Sequence, residues 1–396
     1  MQYPEYVARI IDRLESRGFE AYIVGGSVRD ALIGKEPYDF DVTTSALPEE
    51  TLAVFSDHRT IPTGLKHGTV TVISSGKPIE VTTFRIDGEY TDSRHPDSVA
   101  FTDDITADLS RRDFTVNAMA YNEKRGLVDP FGGQNDLKEG IIRAVGDPEK
   151  RFCEDALRIM RAFRFSAQLG FEIEKNTLEA AYALRAGLEN IARERISAEF
   201  LKLICSREPS RTLQIMQEND ILRYVLGDYT PSTRVCAALG ASPATERVRL
   251  GILMSECPEN TARKILASLR LSNKLTSNTL SIAKRSADRL CGNEIAARRF
   301  IGSSGELCEE TLAAARVLGN LDEDFAKSVT QFLSQKVCAT SADLAINGSH
   351  LVKIGIKGKA VGKTLDYLLE QVIEAPERNE EQTLIALARQ FNKTER

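Results

Sequence analysis

The pattern of apolar residues changes type near Asp147-Pro148, and this change constrains the fold more than any other feature of the sequence. Up to about residue 140, helical periodicity alternates with short strand-like runs, among them Ala21–Val24, Gly68–Ser74 and Pro78–Arg85. The last two runs flank Ser75-Gly76-Lys77, a turn signal typical of a β-hairpin. Beyond the change, strand patterns nearly vanish. We therefore predict an α+β fold, in which an N-terminal domain with a mixed or antiparallel β-sheet and flanking helices precedes an all-α remainder.

Composition bounds the functional class only weakly. The chain has 396 residues and a formal net charge of −5, from 57 Asp and Glu against 52 Lys and Arg. This mild acidity argues against a nucleic-acid partner, since proteins that bind polyanions are often basic. No apolar run of about 18 residues exists, so we expect no transmembrane helix and no membrane partner. The seven cysteines are scattered and never in CxxC spacing, which argues against a disulfide framework or a zinc knuckle, and we expect a cytoplasmic location.

Two sequence features point to metal and phosphate binding. Asp39-Phe40-Asp41 lies in a strand-like run, where residues two apart project from the same face. Two neighbouring carboxylates repel each other unless a divalent cation neutralises them, so the pair suits Mg²⁺. Before them, Gly25-Gly26 follows a strand and opens a helix that includes Arg29. Glycines let the backbone approach a phosphate, which helix N-terminal N–H groups and an arginine can bind. Each feature alone is also compatible with an ordinary turn.

This combination resembles the nucleotidyltransferase superfamily that includes DNA polymerase β. That superfamily usually adds a third carboxylate on a neighbouring strand. Glu80, in the strand-like run after the hairpin turn, is the candidate for this catalytic position. A solvent-facing strand glutamate is the equally acceptable alternative.

A series of arginines lies just beyond the change in pattern. Asp155, Arg158, Arg161 and Arg164 recur every three residues and form a slowly drifting stripe on one side of a predicted helix. An ion pair between Asp155 and Arg158 would contribute only about 0.2–0.5 kcal/mol. We interpret the three arginines as unpaired, and therefore as candidates for binding an anion. Upstream, Arg112 and the arginine before it could grip a triphosphate or a ribose.

Asp155 and Arg158 also have complementary hydrogen-bonding groups. An ionised Asp only accepts hydrogen bonds, and an Arg only donates them. The Watson–Crick edges of cytosine and adenine each offer an amino donor beside a ring-nitrogen acceptor, whereas guanine and uracil offer a carbonyl acceptor beside an N–H donor. An Asp/Arg pair therefore fits C and A but not G and U. A mismatched buried polar group costs about 1–3 kcal/mol, so one helix could select CTP and ATP without a template.

The motifs between about residues 22 and 200 resemble those of class II, bacterial-type CCA-adding tRNA nucleotidyltransferases. This resemblance implies a seahorse-like arrangement of a nucleotidyltransferase head with a five-stranded sheet (residues 1–140), a neck (141–200), a body (201–320) and a tail (321–396), the last three helical. In the order in which that family has them, the motifs are Gly25-Gly26-x-Val28-Arg29-Asp30, Asp39-x-Asp41, Arg111-Arg112-Asp113-Phe114-Thr115-x-Asn117-Ala118, Asp129-Pro130-Phe131-Gly132-Gly133, Glu154-Asp155-x-x-Arg158-x-x-Arg161-Ala162-x-Arg164-Phe165 and Glu194-Arg195-x-x-x-Glu199.

The resemblance also implies a role for individual residues. Asp39 and Asp41 match the ligands of a two-metal Mg²⁺ site, and Gly26 and Arg29 match triphosphate contacts. The implied reaction is in-line attack of the tRNA 3′-hydroxyl on the α-phosphate of CTP or ATP. The implied partner is tRNA; no protein partner is implied, and we expect a monomer. The nucleotide-binding positions of the family are matched by Arg112, Asp155, Arg158, Arg161 and Arg164.

Relatives with other products are the alternatives at this point. Bacterial poly(A) polymerases share much of the motif set, but residues 63–70 are more similar to CCA-adding members. Residues 85–110 match a flexible loop whose loss limits related enzymes to CC, so we expect A addition too, although an enzyme that adds only A is also compatible. No histidine is followed by Asp, so we expect no metal-dependent phosphohydrolase domain. A non-catalytic tRNA-binding protein is the alternative of a different class, and the presence of both Asp39 and Asp41 disfavours it.

Charge is distributed unevenly along the chain, so the net charge of the whole chain does not exclude a nucleic-acid partner. From Ile346 to Leu365, glycines alternate with four lysines, which carry the only formal charges of this segment. The tail of the family grips the tRNA elbow, so this segment is the candidate tRNA contact. Gly358–Thr364 is not a P-loop, because three residues separate its glycines where Walker A has four. A net charge of −5 is therefore compatible with tRNA binding. The four lysines of this segment are Lys353, Lys357, Lys359 and Lys363.

Overall fold

The computed structural model describes residues 1–88 and 98–394. It contains two compact units, one formed by Met1–Thr230 and Ser268–Arg270 and the other by Pro231–Ala267 and Leu271–Arg396. The division into head, neck, body and tail at residues 140, 200 and 320 stays a prediction. Of the segment predicted to form a flexible loop, residues 89–97 lie outside the described residues. Among the described helices, none has the length and apolar character needed to cross a membrane.

A mixed sheet of seven strands forms the centre of the first unit, in the order β3-β4-β5-β2-β1-β8-β9. The predicted α+β class and mixed sheet are confirmed. The expected number of five strands is wrong, because the short hairpin β8–β9 also pairs onto β1. The strands are β1 (Ala21–Val24), β2 (Asp41–Thr44), β3 (Thr60–Gly64), β4 (Thr69–Ser74), β5 (Lys77–Thr83), β6 (Arg85–Asp87), β7 (Val99–Phe101), β8 (Ala120–Asn122), β9 (Gly126–Val128), β10 (Ile141–Ile142) and β11 (Glu172–Ile173), of which β6–β7 and β10–β11 form separate pairs.

The turn between β4 and β5 fixes the register of this part of the sheet. Ser75 and Gly76 have φ angles of +51° and +77°, as in the two-residue turns that match the twist of a hairpin. The predicted hairpin is therefore present, with Ser74 opposite Lys77. Strand β5 then pairs in parallel with β2, while its pairing with β4 is antiparallel.

Helix α1 covers one face of the sheet. Val7, Ile10, Ile11 and Leu14 lie on one side of the helix, and each is at most 1% exposed. They pack with buried strand residues such as Val42 in one apolar core. The described helices up to residue 230 are α1 (Glu5–Ser16), α2 (Gly26–Leu32), α3 (Pro48–Val54), α4 (Ile105–Ser110), α5 (Gly133–Glu139), α6 (Pro148–Glu154), α7 (Leu157–Leu169), α8 (Lys175–Ala183), α9 (Arg193–Ile204), α10 (Pro209–Glu218) and α11 (Arg223–Leu226).

Helix α7 lies in the core of the first unit. Nine of its 13 residues are buried, among them Met160 and Phe163, which are fully buried. A guanidinium group on such a helix loses hydration and needs a partner. The helix ends at Gly170, whose φ of +75° is typical of a glycine C-cap.

Beyond residue 230, all described regular elements are helices, as predicted. Their apolar faces form separate small cores, one of them around Leu351, Leu368 and Leu384. These helices are α12 (Thr233–Ala241), α13 (Glu246–Met254), α14 (Glu259–Ser268), α15 (Asn273–Ala287), α16 (Glu294–Ser304), α17 (Cys308–Val317), α18 (Glu323–Gln335), α19 (Gly348–Lys353), α20 (Lys359–Glu374) and α21 (Glu381–Thr394).

Candidate active site

Strands β2 and β5 bring the predicted metal-binding carboxylates together. Asp41 pairs directly with Glu80 in the parallel ladder, so both side chains project from the same face. Asp39 lies two residues before Asp41 and outside β2, which corrects the prediction of a strand through both aspartates. The alternation nevertheless extends to it, because Phe40 and Val42 are buried while Asp39 and Asp41 are exposed. The three carboxylates are therefore neighbours at one end of the sheet.

The charge at this end of the sheet is unbalanced. The pKa of the Asp41 carboxyl is raised to about 6, first by desolvation and then by repulsion from the carboxylates of Glu80 and Asp39. The guanidinium of Arg112 acts in the opposite direction. Repulsion from neighbouring carboxylates makes it harder for a carboxyl group to lose its proton. A bound cation would offset this repulsion and stabilise the ionised form.

The carboxylates fit a Mg²⁺ ion whose remaining ligands come from the substrate and water. Within the described ranges, no group of three or more His, Cys, Asp and Glu side chains is arranged to hold a metal ion. Mg²⁺ usually binds proteins through one or two carboxylates, with phosphates and water completing its octahedron. Asp39 and Asp41 supply such a pair, and the crowded charge around Asp41 fits a divalent cation. The role of Glu80 as a further ligand stays a prediction.

The Gly25-Gly26 turn lies beside these carboxylates, because β1 pairs with β2 at the level of Asp41 and ends there. Gly25 has a φ of +76°, which strains any residue with a Cβ. A Cβ at Gly25 would also stand 3.3 Å from Nη1 of Arg112, and one at Gly26 would stand 3.6 Å from Nη2 of Arg29. Two guanidinium groups therefore lie against the predicted phosphate-binding turn.

Arg29 is held from three directions. Its Nη1 donates to Oδ1 of Asn117 at 2.7 Å, and its Nε donates to Oδ1 of Asp30 at 2.8 Å. Its guanidinium lies over the ring of Phe165, 5.2 Å from the centroid. The side chain is thus ordered before any ligand binds, so little conformational entropy is lost when it contacts an anion.

A buried aspartate anchors the side chain of Arg112. Its Nη2 donates to Oδ2 of the fully buried Asp108 at 3.3 Å. Its Nε is buried and has no hydrogen-bond partner among the described residues. Its charge still acts on the carboxylates, since it opposes the rise in the pKa of Asp41. The guanidinium of Arg112 therefore lies against the glycine turn and is near enough to Asp41 to act on its charge.

The arginines of α7 are each paired with a carboxylate, so the interpretation that they are unpaired is wrong. The physical reason is the burial of α7, because a buried guanidinium without a partner would lose its hydration without compensation. All the partners lie outside α7. The pairs are Arg158 with Glu154 at 2.6 Å, Arg161 with Asp113 at 2.6 Å, and Arg164 with Glu199 at 2.5 Å.

Asp155 lies outside the helix to which it was assigned. It links α6 to α7, and its Oδ1 accepts a hydrogen bond from the backbone N–H of Leu157 at 3.0 Å. Its Oδ2 pairs with Nη2 of Arg195 at 2.7 Å. The backbone N–H of Arg158 donates to the Asp155 carbonyl, but among the described contacts their side chains pair with different partners, Glu154 and Arg195. Their role as base readers stays a prediction.

Sequence reasoning missed the roles of these partners, although they lie within the family motifs. The signal that could have found them is charge balance along α7. The helix contains three arginines and no acidic residue. A largely buried helix of this composition requires carboxylates from other elements. Those carboxylates, and the arginine that holds Asp155, are Asp113, Glu154, Glu199 and Arg195.

In the second unit, a groove of about 590 Å³ brings cations of two elements together. Its described lining contains no Asp or Glu. Lys353, at the end of α19, is not part of the lining, whereas the other three predicted lysines are. Helix α21 adds two cations that the sequence prediction missed, because they lie about 30 residues beyond the lysine-rich segment. The cationic groove is lined by Lys357, Lys359, Lys363, Arg389 and Lys393.

Comparisons with known proteins agree with this geometry. The family described as "Poly A polymerase head domain" matches residues 21–143, that described as "Probable RNA and SrmB- binding site of polymerase A" matches 170–233, and that described as "tRNA nucleotidyltransferase domain 2" matches 247–388. A CCA-adding enzyme from Limosilactobacillus fermentum is 38% identical over 394 residues, covering 96% of this chain and 95% of the relative. The chain belongs to the CCA-adding enzyme family. It is therefore a tRNA nucleotidyltransferase, as the motifs predicted.

Other CCA-adding enzymes extend this similarity. The enzyme from Geobacillus stearothermophilus is 36% identical over 393 residues, covering 97% of this chain and 96% of the relative. A crystal structure of the Bacillus stearothermophilus CCA-adding enzyme in complex with CTP superposes with a TM-score of 0.85 at 33% identity, covering 100% of this chain and 99% of that one. The predicted fold class, a head with a mixed sheet followed by helices, is thereby confirmed.

Proposed function

We propose that this chain adds cytidine, cytidine and adenosine to the 3′ end of tRNA without a template, using CTP and ATP. The observation that carries the proposal is one site in which the Asp39 and Asp41 carboxylates face a glycine turn backed by Arg29 and Arg112. Such a site can bind a polyphosphate together with a divalent cation. The structure of the B. stearothermophilus relative with CTP supports a nucleotide as that polyphosphate. The monomeric state and the cytoplasmic location stay predictions.

The residues of the site would act mainly by binding and orienting. Asp39 and Asp41 would hold Mg²⁺, with Glu80 beside them. Bound Mg²⁺ would lower the pKa of the tRNA 3′-hydroxyl and neutralise charge on the triphosphate and the departing pyrophosphate. Arg29 and Arg112 would align the triphosphate so that its α-phosphate lies in line with the attacking hydroxyl.

Asp155 and Arg158 would choose the base. The Asp155 carboxylate has about four lone-pair sites, and its bonds to Leu157 N–H and Arg195 leave acceptor capacity for an amino group of C or A. Arg158 is fixed by Glu154 and also donates to backbone carbonyls, which limits its rotation. Because both groups are fixed, they would not adjust to the reversed pattern of G or U.

The product can be tested directly. Transfer RNA that ends at the discriminator base is incubated with Mg²⁺ and with CTP, ATP or both, and the product ends are sequenced. We expect CC with CTP alone, CCA with both nucleotides, and no addition with ATP alone. Addition of a single A only to tRNA that already ends in CC, or of a long A tail, would replace the proposal with the corresponding specialised enzyme. Complete absence of incorporation would favour a non-catalytic tRNA-binding protein.

The cationic groove is proposed to contact the tRNA backbone. Replacing Lys357 and Lys359 with alanine should weaken tRNA binding and lower the slope of log K against log salt by about 0.7–0.9 for each lost phosphate contact. Affinity for CTP should not change. The matched control replaces Lys264 and Lys284, two exposed lysines outside the groove, with the same change in net charge. An equal loss of tRNA affinity in both double variants would refute a specific role of the groove.

A further inference from the structure

Asn117 lies between Arg29, which is proposed to contact the triphosphate, and Asp113, which pairs with helix α7. Its Oδ1 accepts a hydrogen bond from Nη1 of Arg29 at 2.7 Å, and its Nδ2 donates to Oδ1 of Asp113 at 3.1 Å. Asp113 in turn pairs with Arg161 on α7. Asn117 is only 6% exposed and belongs to the 3₁₀ turn Thr115–Asn117, so it has little freedom to move.

The chemistry of the two neighbours fixes the orientation of the amide. An arginine only donates hydrogen bonds, so the amide oxygen must face Arg29. Burial alone would raise the pKa of the Asp113 carboxyl, but Arg161 and the hydrogen bond from Asn117 lower it to about 2, so Asp113 is ionised and only accepts. The amide nitrogen must therefore face Asp113. A side chain of this length needs one acceptor and one donor here, which is the pattern of asparagine.

We propose that Asn117 is a positioning residue that sets the affinity of the enzyme for the triphosphate by fixing the guanidinium of Arg29. The inference rests on the proposed contact between Arg29 and the triphosphate. Without the amide oxygen, the restraints on Arg29 from the described residues are reduced to Asp30 and the ring of Phe165. Asp30 is the next residue in the chain and is partly exposed, so it can move with Arg29 and is a weak anchor.

This role predicts a signature that differs from that of base selection. CTP and ATP share the triphosphate, so loss of Asn117 should affect both nucleotides equally. A base reader such as Asp155 would instead change the preference among bases. A purely structural asparagine would lower the amount of folded enzyme and leave KM unchanged.

Asn117→Leu, which has a similar size and neither polar group, is the test variant. We expect the KM for CTP and for ATP to rise about tenfold or more, the effect of losing a buried hydrogen bond to a charged group, while kcat falls less. In equilibrium binding, CTP affinity should fall by a similar factor, whereas affinity for CMP, which lacks the β- and γ-phosphates, should change little. Asn117→Ala removes both hydrogen bonds with a smaller side chain and serves as the test if the leucine variant does not fold.

Two further variants make the test decisive. Asn122→Leu is the matched control, because Asn122 is a buried asparagine of the same sheet domain that bonds to the backbone oxygen of Ala21 and not to Arg29. It should lower the unfolding temperature without raising KM selectively. In the double variant Arg29→Ala/Asn117→Leu, KM should be no higher than in Arg29→Ala alone, because Asn117 acts through Arg29.

The outcomes separate the inference from the proposed function. If Arg29→Ala leaves the KM for both nucleotides unchanged, the proposed triphosphate contact is wrong and the inference falls with it. If Arg29→Ala raises KM but Asn117→Leu does not, the inference alone is overturned. Independent effects that multiply in the double variant also overturn it. A KM increase for only one of the two nucleotides would assign Asn117 to base selection and likewise contradict the positioning role.

Discussion

Asp41→Asn is expected to lower the rate of nucleotide incorporation by about 1,000-fold, with tRNA affinity close to that of the parent enzyme. The substitution keeps the size of the side chain and removes one of the two charges proposed to hold Mg²⁺. Single-turnover incorporation of CMP into tRNA at saturating Mg²⁺ measures the effect. Asp12→Asn, the same change at an exposed position of α1, is the matched control and should retain full activity. Normal activity of the Asp41 variant would rule out the carboxylate pair as the metal site.

The same variant has an expected effect on stability that depends on pH. The pKa of Asp41 is about 6 in the folded chain and near 3.8 in an unfolded one, so proton uptake at this group stabilises the folded state at low pH. That stabilisation is lost as pH rises through about 6. Without Mg²⁺, Asp41→Asn should therefore unfold at a higher temperature than the parent at pH 7, with a smaller difference near pH 5. Thermal unfolding in EDTA at both pH values tests this, and a lower unfolding temperature of the variant at pH 7 would contradict the crowding of negative charge.

Asp155→Ala is expected to reduce kcat/KM for CTP and ATP by about tenfold to a hundredfold, while UTP and GTP are affected much less. The expected loss follows from the removal of the acceptor for the amino group that only C and A offer. Competition assays with all four nucleotides at fixed tRNA measure the discrimination.

The pairing of Asp155 with Arg195 provides the control for this experiment. Arg195→Leu leaves the carboxylate in place but removes the group that orients it, so it should reduce CTP use less than Asp155→Ala does. The affinity for Mg²⁺ should be unchanged in both variants. Unchanged discrimination against UTP and GTP in Asp155→Ala would exclude this residue as a base reader.

The sequence predicted features that depend on local patterns. The glycine turn, the hairpin at Ser75-Gly76 and the helical remainder follow from residue types and spacing, and each is present. The aspartate pair was also found in the sequence, although only Asp41 belongs to the strand. Spacing by two residues identified the shared face correctly, because side-chain alternation continued beyond the strand end.

Features that depend on tertiary contacts were not predictable in the same way. Of the acids that pair with the α7 arginines, Glu154 has the i,i+4 spacing of a helix with Arg158. Asp113 and Glu199 come from two distant segments, and no periodicity connects them with α7. Arg389 and Lys393 join the lysine-rich segment only because α20 and α21 pack together. The two extra strands, three residues long each, follow a local hairpin pattern in the sequence, but their pairing onto β1 joins segments far apart in the chain, which no local pattern predicts.

The length of the hairpin turn at Ser75-Gly76 determines where Glu80, in the middle of β5, is placed. It sets the register of β5, and β5 places Glu80 opposite Asp41 on β2. Because side chains alternate along a strand, one residue inserted into this turn would carry Glu80 to the apolar side of the sheet without altering any residue of the site. Chain length in a surface turn is therefore as much a part of the carboxylate site as the identity of its acids.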